Sequence, residues 1–335
     1  MSNLKLSSYL FLSTLLIGVM LALSAPNWFS AWIGLEINLY SFIPLMINSS
    51  TTQQKEASMK YFFAQATGSA LILIGALAML SFHPASLLIL MALLLKAGLA
   101  PFHFWFPSVM AALPWSTCLL LTTTQKITPT LLIIQMFSPD PTIITFISAL
   151  SAITGGVGGL NQTQFRAIIA YSSIGHMGWV LSISFINMSL SKLMLMNYMI
   201  TIMSIILIFM ISSIKLNSQP MSLLDLSPFM KTMMLLLFMS LGGLPPLFGF
   251  FPKFLIILDL MSHNLIKLSL FLISGAMLNL YYYMKIMYTT FFTPPSKTLI
   301  FSKLYMSTVT FSSIAIMTFM VIQFNLLILT PWLFY

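Results

Sequence analysis

Four charged residues lie near the middle of hydrophobic stretches that are long enough to cross a membrane: Glu36, Lys96, Lys126 and Lys253. The whole chain of 335 residues has only fourteen basic and five acidic side chains. A charge at bilayer depth costs roughly 2.5–3.5 kcal/mol on insertion scales, so it is rarely kept without a function. These residue types in these places predict a path for protons or other ions through the membrane.

Lysine and glutamate suit such a path because the protonation of a buried group responds to its neighbours. Burial disfavours the ammonium form of a lysine, and a nearby carboxylate favours it. Glu36 is about nine residues into its segment, and Lys96 and Lys126 are about twelve into theirs, which is roughly 14–18 Å deep at 1.5 Å per residue. Lys253 lies between mid-bilayer and the C-terminal side. The alternative is that each lysine reaches towards an interface or fixes a break in its helix.

Two histidines could extend this row, since histidine titrates near neutral pH. His103 follows a predicted helix break at Pro101, where it could instead satisfy a freed backbone carbonyl. His176 lies in the seventh hydrophobic segment, close to Ser172 and Ser173. We expect both histidines to belong to the proton path.

Composition indicates that the elements holding these residues lie in lipid. Hydrophobic residues make up 59% of the chain and charged residues 6%, and the mean hydropathy is +0.99. Soluble domains carry about 25% charged residues, so a soluble fold is excluded. No polar stretch is long enough for an extramembrane domain, and residues 1–335 are predicted to form a single membrane domain with lipid as a partner.

The same composition argues against cofactors and nucleic acid. The single cysteine, Cys118, excludes a disulfide framework and a cysteine-ligated cluster. The four histidines have no metal-ligand spacing. The net charge of +9 comes from basic residues scattered singly, without the cluster that nucleic-acid binding needs. We expect no cofactor and no metal in this chain.

A membrane-spanning helix needs about 20 mostly apolar residues. That length predicts an all-α polytopic membrane protein with eleven transmembrane helices. The predicted spans are 6–25, 28–47, 61–81, 85–112, 115–137, 142–160, 166–186, 192–213, 232–262, 265–290 and 304–330, and the longest weakly apolar connections are 48–60, 214–231 and 293–303.

The fourth and ninth spans are too long for simple helices, and each is interrupted by glycine and proline. Both contain G-L-x-P, then four further residues, then F-P. The break residues are Gly98 and Pro101 in the fourth span, and Gly243, Pro245 and Pro246 in the ninth. Matched broken helices are typical of transporters built from inverted repeats. An offset of five spans predicts two inverted five-helix repeats, 1–137 and 142–290, followed by one C-terminal helix, 304–330.

Basic residues also predict the orientation of the chain. If the connections alternate between the two sides, nine basic residues fall on the N-terminal side and only Lys192 and Lys267 on the other. Loops rich in basic residues stay on the inside. The N-terminus is therefore predicted to face the positive-inside compartment, and the C-terminus the opposite one.

Four ordered blocks of residues carry a resemblance to a known family. They are Lys96, Gly98, Pro101, Phe102, His103, Trp105 and Pro107; Gln125 with Lys126; Arg166 with Ala170 to Ser173 and His176 to Gly178; and Gly243 to Pro246 with Gly249, Phe250 and Lys253. In this order they resemble the antiporter-like subunit family of respiratory complex I, over essentially the whole chain. Members of that family typically have fourteen helices, so eleven departs from the pattern.

The resemblance implies a proton-translocating module of NADH:ubiquinone oxidoreductase in the mitochondrial inner membrane, with the N-terminus on the matrix side and the C-terminus on the intermembrane-space side. By the same resemblance Glu36 would pair with Lys96, Lys126 would relay protons at the centre, and Lys253 would lie on the exit half. The partners would be other membrane-arm subunits, and the chain itself would carry no redox centre, no NADH site and no direct contact with NADH.

Two other functions remain open from the residues alone. One is a stand-alone antiporter that exchanges a cation for protons with the same buried charges. The other is a structural membrane subunit whose charges hold neighbouring helices together without pumping.

Overall fold

The computed structural model describes residues 6–47, 51–79, 85–135, 141–211, 228–245 and 247–292. Within these ranges the chain forms thirteen α-helices and no β-strand. The helices are α1 (Leu6–Leu23), α2 (Trp28–Ile47), α3 (Thr52–Ala78), α4 (Ala85–Ala97), α5 (Trp105–Ala112), α6 (Trp115–Thr122), α7 (Thr124–Gln135), α8 (Pro141–Leu160), α9 (Phe165–Ile183), α10 (Met188–Ile211), α11 (Pro228–Gly242), α12 (Phe250–Ser262) and α13 (Ile266–Phe292).

Six of these elements, counting α6 with α7 as one, are long and apolar enough to cross a membrane by length and composition. They are α2, α3, α6 with α7, α8, α10 and α13, and shorter apolar helices lie in α1, α4 and α11. The predicted all-α membrane fold is therefore confirmed. The predicted helix 304–330 and Pro246 lie outside the described residues, so the count of eleven spans stays a prediction.

Helix α3 begins earlier than the sequence predicts. Residues 52–60 were expected to belong to a connection, but the helix starts at Thr52. Its first turns carry an exposed ion pair of 2.7 Å between Glu56 and Lys60, one helical turn apart, which supports an isolated helix end. A search for apolar residues misses such a polar turn. With 27 residues, α3 is roughly 40 Å long and extends beyond a hydrocarbon core of about 30 Å.

Helix α9 is the centre of the molecule. Every one of its residues except Tyr171 is buried, and it packs against α8, α10, α5, α13, α12 and α6. Close approach to α8 depends on small residues, because a Cβ on Gly155 would come within 2.5 Å of the backbone nitrogen of Gly175. A helix surrounded by protein can carry polar side chains that lipid would not tolerate.

The two predicted halves show the same set of helix pairings. In the first half the pairs are α1 with α2, α2 with α3, α3 with α4 and α5, and α7 with α4 and α1. In the second half the corresponding pairs are α8 with α9, α9 with α10, α10 with α11 and α12, and α13 with α11 and α8. Two copies of one unit would produce this pattern. It supports the inverted repeat, which stays a prediction.

A seam joins these halves where α5, α6 and α7 meet α9 and α10. Its best-defined aromatic contact is the stack of Trp115 on Phe209, with ring centroids 4.4 Å apart and planes inclined by 5°. Phe165 packs on the same Phe209 ring at 5.1 Å. The seam is therefore closely packed at this level.

Candidate functional site

The first helix break is built as a glycine-terminated helix end. Helix α4 ends at Ala97, and the next residue, Gly98, has φ +68°. The backbone N–H of Leu99 bonds to the carbonyl of Leu94 at 3.0 Å, and that of Gly98 to the carbonyl of Leu95 at 3.1 Å. These are the two bonds of a Schellman motif, which favours glycine at the left-handed position. The chain leaves the helix here and enters α5 at Trp105.

The second break repeats this geometry. Helix α11 ends at Gly242, and Gly243 has φ +81°. The N–H of Leu244 bonds to the carbonyl of Met239 at 3.3 Å, and that of Gly243 to the carbonyl of Ser240 at 3.1 Å. Each donor and acceptor lies 145 residues after its counterpart at the first break. The two breaks are thus alike in backbone bonding as well as in sequence.

Side-chain donors also bond to backbone carbonyls at the first break. The indole N–H of Trp105 donates to the carbonyl of Leu95 at 3.0 Å, and the amide of Gln65 donates to the carbonyl of Lys96 at 3.1 Å. His103 lies in the link between α4 and α5 and stacks on the ring of Phe104 at 4.3 Å. Trp105 is therefore the side chain that bonds to the Leu95 carbonyl, and His103 bonds to the backbone of Pro101.

Lys96 is buried beside α3 in the last turn of α4. Its side chain crosses Gly68, where an added Cβ would come within 2.9 Å of the Lys96 Cγ. Glu36 is half-buried on α2 and acts electrostatically on Lys96. The resemblance implies an electrostatic pair. The structure shows electrostatic reach between these two charges but no direct contact between the Lys96 Nζ and the Glu36 carboxylate.

Lys253 closes the second break. Its Nζ donates to the carbonyl of Leu241 at 2.8 Å and to that of Gly242 at 3.1 Å. A cation at the C-terminal end of a helix is stabilised by the partial negative charge of the unpaired carbonyls. The ammonium also lies 5.9 Å from the ring centroid of Trp179 on α9. The side chain is only 7% exposed, so Lys253 fixes the break and carries a buried charge at once.

Lys126 follows a third break, which the sequence analysis missed. The predicted span 115–137 is divided at Thr123 (φ −110°, ψ −83°) into α6 and α7. The hydroxyls of Thr122, Thr123 and Thr124 each bond to the carbonyl four residues earlier, at 2.9, 2.6 and 2.9 Å. Such bonds from Ser and Thr bend helices, and Pro129 further removes a helix donor in α7. The threonine run with a following proline was the available signal.

Lys126 joins the two halves at the seam. It is 2% exposed, and its Nζ donates to the hydroxyl of Ser173 on α9 at 2.8 Å. The ammonium also lies 4.0 Å above the ring centroid of Phe106 on α5. A cation over an aromatic face is stabilised electrostatically. Of the predicted lysines, Lys126 is thus the one that bonds to the opposite half.

His176 lies within electrostatic reach of one lysine from each half. It is one turn after Ser173 on α9, and both Lys126 and Lys253 act on it electrostatically. Neither ring nitrogen bonds to another described residue. The imidazole packs against the ring of Tyr198 on α10 at 5.6 Å. The structure therefore brings His176, Lys126 and Lys253 into one neighbourhood.

A group of buried polar side chains next to α9 was also missed. Tyr282 and Tyr283 on α13 have ring centroids 4.7 Å apart, and both hydroxyls lie near that of Ser172. Asn279 lies one turn earlier against Gly175. Hydroxyl groups both donate and accept hydrogen bonds, so this group is chemically able to extend the row. The signal in the sequence was the run of three tyrosines inside one span.

Arg166, one of the nine basic residues that the tally places on the N-terminal side, is not exposed at its span end. It is buried at the start of α9, with Nη1 donating to the carbonyl of Ala111 at 3.3 Å and the guanidinium 4.7 Å from the ring centroid of Trp115. The contacts tie α9 to the corner between α5 and α6. A tally of basic residues cannot distinguish such a buried arginine from a solvated one.

Among the described residues, no group of three or more His, Cys, Asp or Glu side chains could hold a metal ion. Cys118 is buried in α6. The described part of the site consists instead of basic groups, hydroxyls and one half-buried carboxylate on five helices. Such an arrangement can pass protons, but it offers no set of acidic ligands for a divalent cation.

Comparison with known proteins identifies a family of membrane proteins. Residues 25–86 and 82–279 match the family model described as NADH:quinone oxidoreductase/Mrp antiporter, transmembrane. The chain is 41% identical over 297 residues to the NADH-ubiquinone oxidoreductase chain 2 of Halichoerus grypus, covering 85% of both proteins. It is 40% identical over 304 residues to the protein of the same name from Osphranter robustus, covering 86% of this chain and 87% of that one.

Solved structures share the fold. A chain of respiratory complex I from Thermus thermophilus superposes with a TM-score of 0.85 at 24% identity, covering 99% of this chain and 80% of that one. A chain of the Mrp complex from a Dietzia species superposes with a TM-score of 0.78 at 19% identity, covering 85% of this chain and 61% of that one.

Proposed function

We propose, because this chain belongs to the NADH:quinone oxidoreductase/Mrp antiporter membrane family, that it translocates protons as a membrane-arm subunit of NADH:ubiquinone oxidoreductase. The relatives that carry the name NADH-ubiquinone oxidoreductase chain 2 support the complex. They also support the mitochondrial inner membrane as its location. The observation that carries the proton path is the bond of Lys126 to Ser173 across the seam.

The path follows the buried groups from one half to the other. Glu36 and Lys96 form the first station, where the carboxylate favours a charged lysine. Lys126 forms the second and donates to the Ser173 hydroxyl, which itself donates to the carbonyl of Ala170 and would rotate away from it to pass a proton on. His176 and Lys253 form the last station. Lys96 precedes its break and Lys253 follows its own, so the two ends of the row differ, as an entrance and an exit must.

Each proton that enters the row of buried groups displaces one that is already bound, so no single proton has to travel the whole length of the row. When Lys126 gives up a proton towards α9, its Nζ becomes an acceptor and can take a proton from the side of Lys96. Electron transfer elsewhere in the complex would shift the Glu36–Lys96 pairing and start the sequence. The chain itself supplies the proton relay and no redox centre.

The proposed topology follows the sequence analysis. Residues 1–137 and 142–290 would be inverted repeats, and 304–330 an additional C-terminal helix. The N-terminus would face the matrix and the C-terminus the intermembrane space. Other membrane-arm subunits and lipids would cover the outer helices, as suggested by the multi-subunit complexes in which chains of this fold occur.

The test is Lys126→Met in the reconstituted complex. Methionine keeps an unbranched apolar side chain but cannot hold a proton, so we expect proton uptake per electron to fall. Lys267→Met, at an exposed position, is the matched control and should leave the ratio unchanged. An unchanged ratio at full turnover in Lys126→Met would contradict the proposal.

A structural role is the second candidate, and the bonds of Lys253 to Leu241 and Gly242 favour it. If the lysines only fix helix breaks, their replacement impairs assembly while the assembled complex pumps normally. A stand-alone antiporter is separated by another observation. A chain that purifies alone and exchanges sodium for protons in vesicles would favour that activity over the complex.

A further inference from the structure

Three side chains form a hydrogen-bonded bridge between α2, α3 and α7. The hydroxyl of Tyr61 on α3 donates to Oε1 of Gln125 on α7 at 3.0 Å. Nε2 of Gln125 donates to Oδ1 of Asn38 on α2 at 2.8 Å. Tyr61 and Asn38 are buried. Both ends of the Gln125 amide are therefore engaged, and this fixes its orientation.

The bridge lies beside the charges of the first half. Gln125 directly precedes Lys126, and Asn38 follows Glu36 by two residues on the same helix. Glu36 acts electrostatically on both Tyr61 and Lys96. One carboxylate thus influences the first lysine of the row and the donor of the bridge.

Helix α3 connects the bridge to the first break. Tyr61, Gln65 and Gly68 occur at helical spacing and are all buried. Gln65 bonds to the Lys96 carbonyl, and Gly68 leaves room for the Lys96 side chain. The Tyr61 ring also packs edge-on against Trp105 at 5.8 Å. The same face of α3 therefore holds both Lys96 and the hydroxyl that binds Gln125.

We propose that Gln125 is a positioning residue that couples the Glu36–Lys96 pair to Lys126. The break at Thr123 separates α7 from α6 only two residues before Gln125, so the start of α7 depends on side-chain contacts for its place. The bridge fixes that start, and the Lys126 ammonium with it, to α2 and α3. A change in the charge of Glu36 alters the electrostatic field at the Tyr61 hydroxyl, and this changes the strength of its hydrogen bond to Gln125. The inference rests on the proposed function.

The test uses Gln125→Met in the complete complex, with proton uptake per electron and turnover measured per assembled complex. Methionine keeps the length of the side chain but breaks both bonds. We expect the loss of two buried hydrogen bonds to slow proton-coupled turnover roughly 3- to 10-fold, or to lower the ratio. Gln135→Met makes the same change at the exposed end of the same helix and should leave both values unchanged.

A conservative variant distinguishes positioning from simple packing. Gln125→Glu keeps an acceptor for Tyr61, and Asn38 can turn its own amide to donate to the new carboxylate. We expect it to recover a large part of the turnover that Gln125→Met loses. Equal defects in both variants would overturn the role of the bridge.

Tyr61→Phe decides the question if Gln125→Met fails to assemble. It removes one oxygen atom and keeps the ring contacts with Phe42 and Trp105. Tyr40→Phe, at an exposed position, is its control. A normal ratio and rate in Tyr61→Phe, with Lys126→Met inactive in the same assay, would overturn this inference alone. Normal pumping in Lys126→Met would overturn the proposed function instead.

Discussion

At the scale of single residues, the three buried lysines lie next to breaks but make different contacts. Lys253 bonds to two backbone carbonyls, and Lys126 bonds to a hydroxyl and lies over an aromatic ring. Lys96 runs across Gly68 within electrostatic reach of Glu36. Replacing Lys126 takes no donor away from a backbone carbonyl, whereas replacing Lys253 removes the donor of two buried carbonyls. The lysines are therefore not interchangeable stations.

Lys253→Met tests this difference. We expect it to destabilise the second break by about 1–3 kcal/mol, because two buried carbonyls lose their donor. Thermal inactivation and the yield of assembled complex measure the effect. Lys253→Gln can still donate to a carbonyl but cannot carry an extra proton, so it should restore part of the stability and none of the pumping. Full pumping in the Gln variant would show that Lys253 acts only as a helix cap.

Ser173 gives a second prediction at this scale. Ser173→Ala removes the hydroxyl that accepts the hydrogen bond of the Lys126 ammonium. Because that charge is buried, we expect the free energy of unfolding to fall by about 1–3 kcal/mol. We expect slower proton-coupled turnover in the assembled complex. Ser173→Thr keeps the hydroxyl and should behave more like the parent protein. An Ala variant as fast as the Thr variant would contradict a relay through this hydroxyl.

At the scale of elements, the two Schellman ends set where the charged side chains lie. Each break needs a residue with positive φ immediately after the helix, and the chain supplies Gly98 and Gly243. The helix then ends with its carbonyls inside the protein, where side-chain donors must satisfy them. This explains why Trp105, Gln65 and Lys253 all bond to backbone at the breaks.

Two neighbouring glycines provide a matched test of this element. Gly243→Ala places a Cβ in a left-handed conformation, at a cost of roughly 1–2 kcal/mol, and within 3.0 Å of the Lys253 Nζ. Gly242→Ala meets its nearest atom at 3.6 Å and should change stability by no more than about 0.5 kcal/mol. Thermal inactivation of the two complexes compares them directly. Equal stability would show that the break tolerates an ordinary residue.

The sequence identified candidate functional residues where a residue type is unfavourable in a lipid-embedded helix. Lys96, Lys126 and Lys253 stood out because charge is scarce, and the Gly-Pro pairs because they interrupt long apolar runs. Tyr61 and Asn38 did not, since single amides and tyrosines are ordinary in a polytopic chain, and Gln125 was noted only as the neighbour of Lys126 in the family resemblance. Their bridge depends on how three helices turn towards one another. The periodicity of the sequence cannot predict this bridge, because the rotation of the three helices relative to one another is set by tertiary packing.

At the scale of the whole molecule, the seam determines how the halves communicate. The first half contributes α5, α6 and α7, and the second contributes α9 and α10. Arg166, the Trp115–Phe209 stack and Lys126 all cross it. Two of these three contacts involve a buried cation. The halves are thus joined by contacts of buried cations as well as by apolar packing. Because Lys126 contacts both halves, a change in its protonation would alter the electrostatic field in each of them.

The proposed orientation can be tested with single cysteines. Cys118 is fully buried, which keeps the background reactivity low. Lys60→Cys should react with a membrane-impermeant maleimide from the matrix side, and Lys267→Cys from the intermembrane-space side, because the basic residues predict opposite faces. Mitoplasts and inverted vesicles compare the two. Labelling of both cysteines from one side would overturn the topology.

The burial of α9 has a consequence for biogenesis. This helix carries Arg166 and His176 and is not one of the helices apolar enough to span lipid by itself. A segment of that kind partitions poorly from the insertion machinery into the bilayer. Helix α8 is apolar enough, and its Gly155 and Gly158 fit against α9. The two should therefore leave the insertase together as a hairpin, so that a helix with a buried arginine and a buried histidine enters the membrane already shielded on one side.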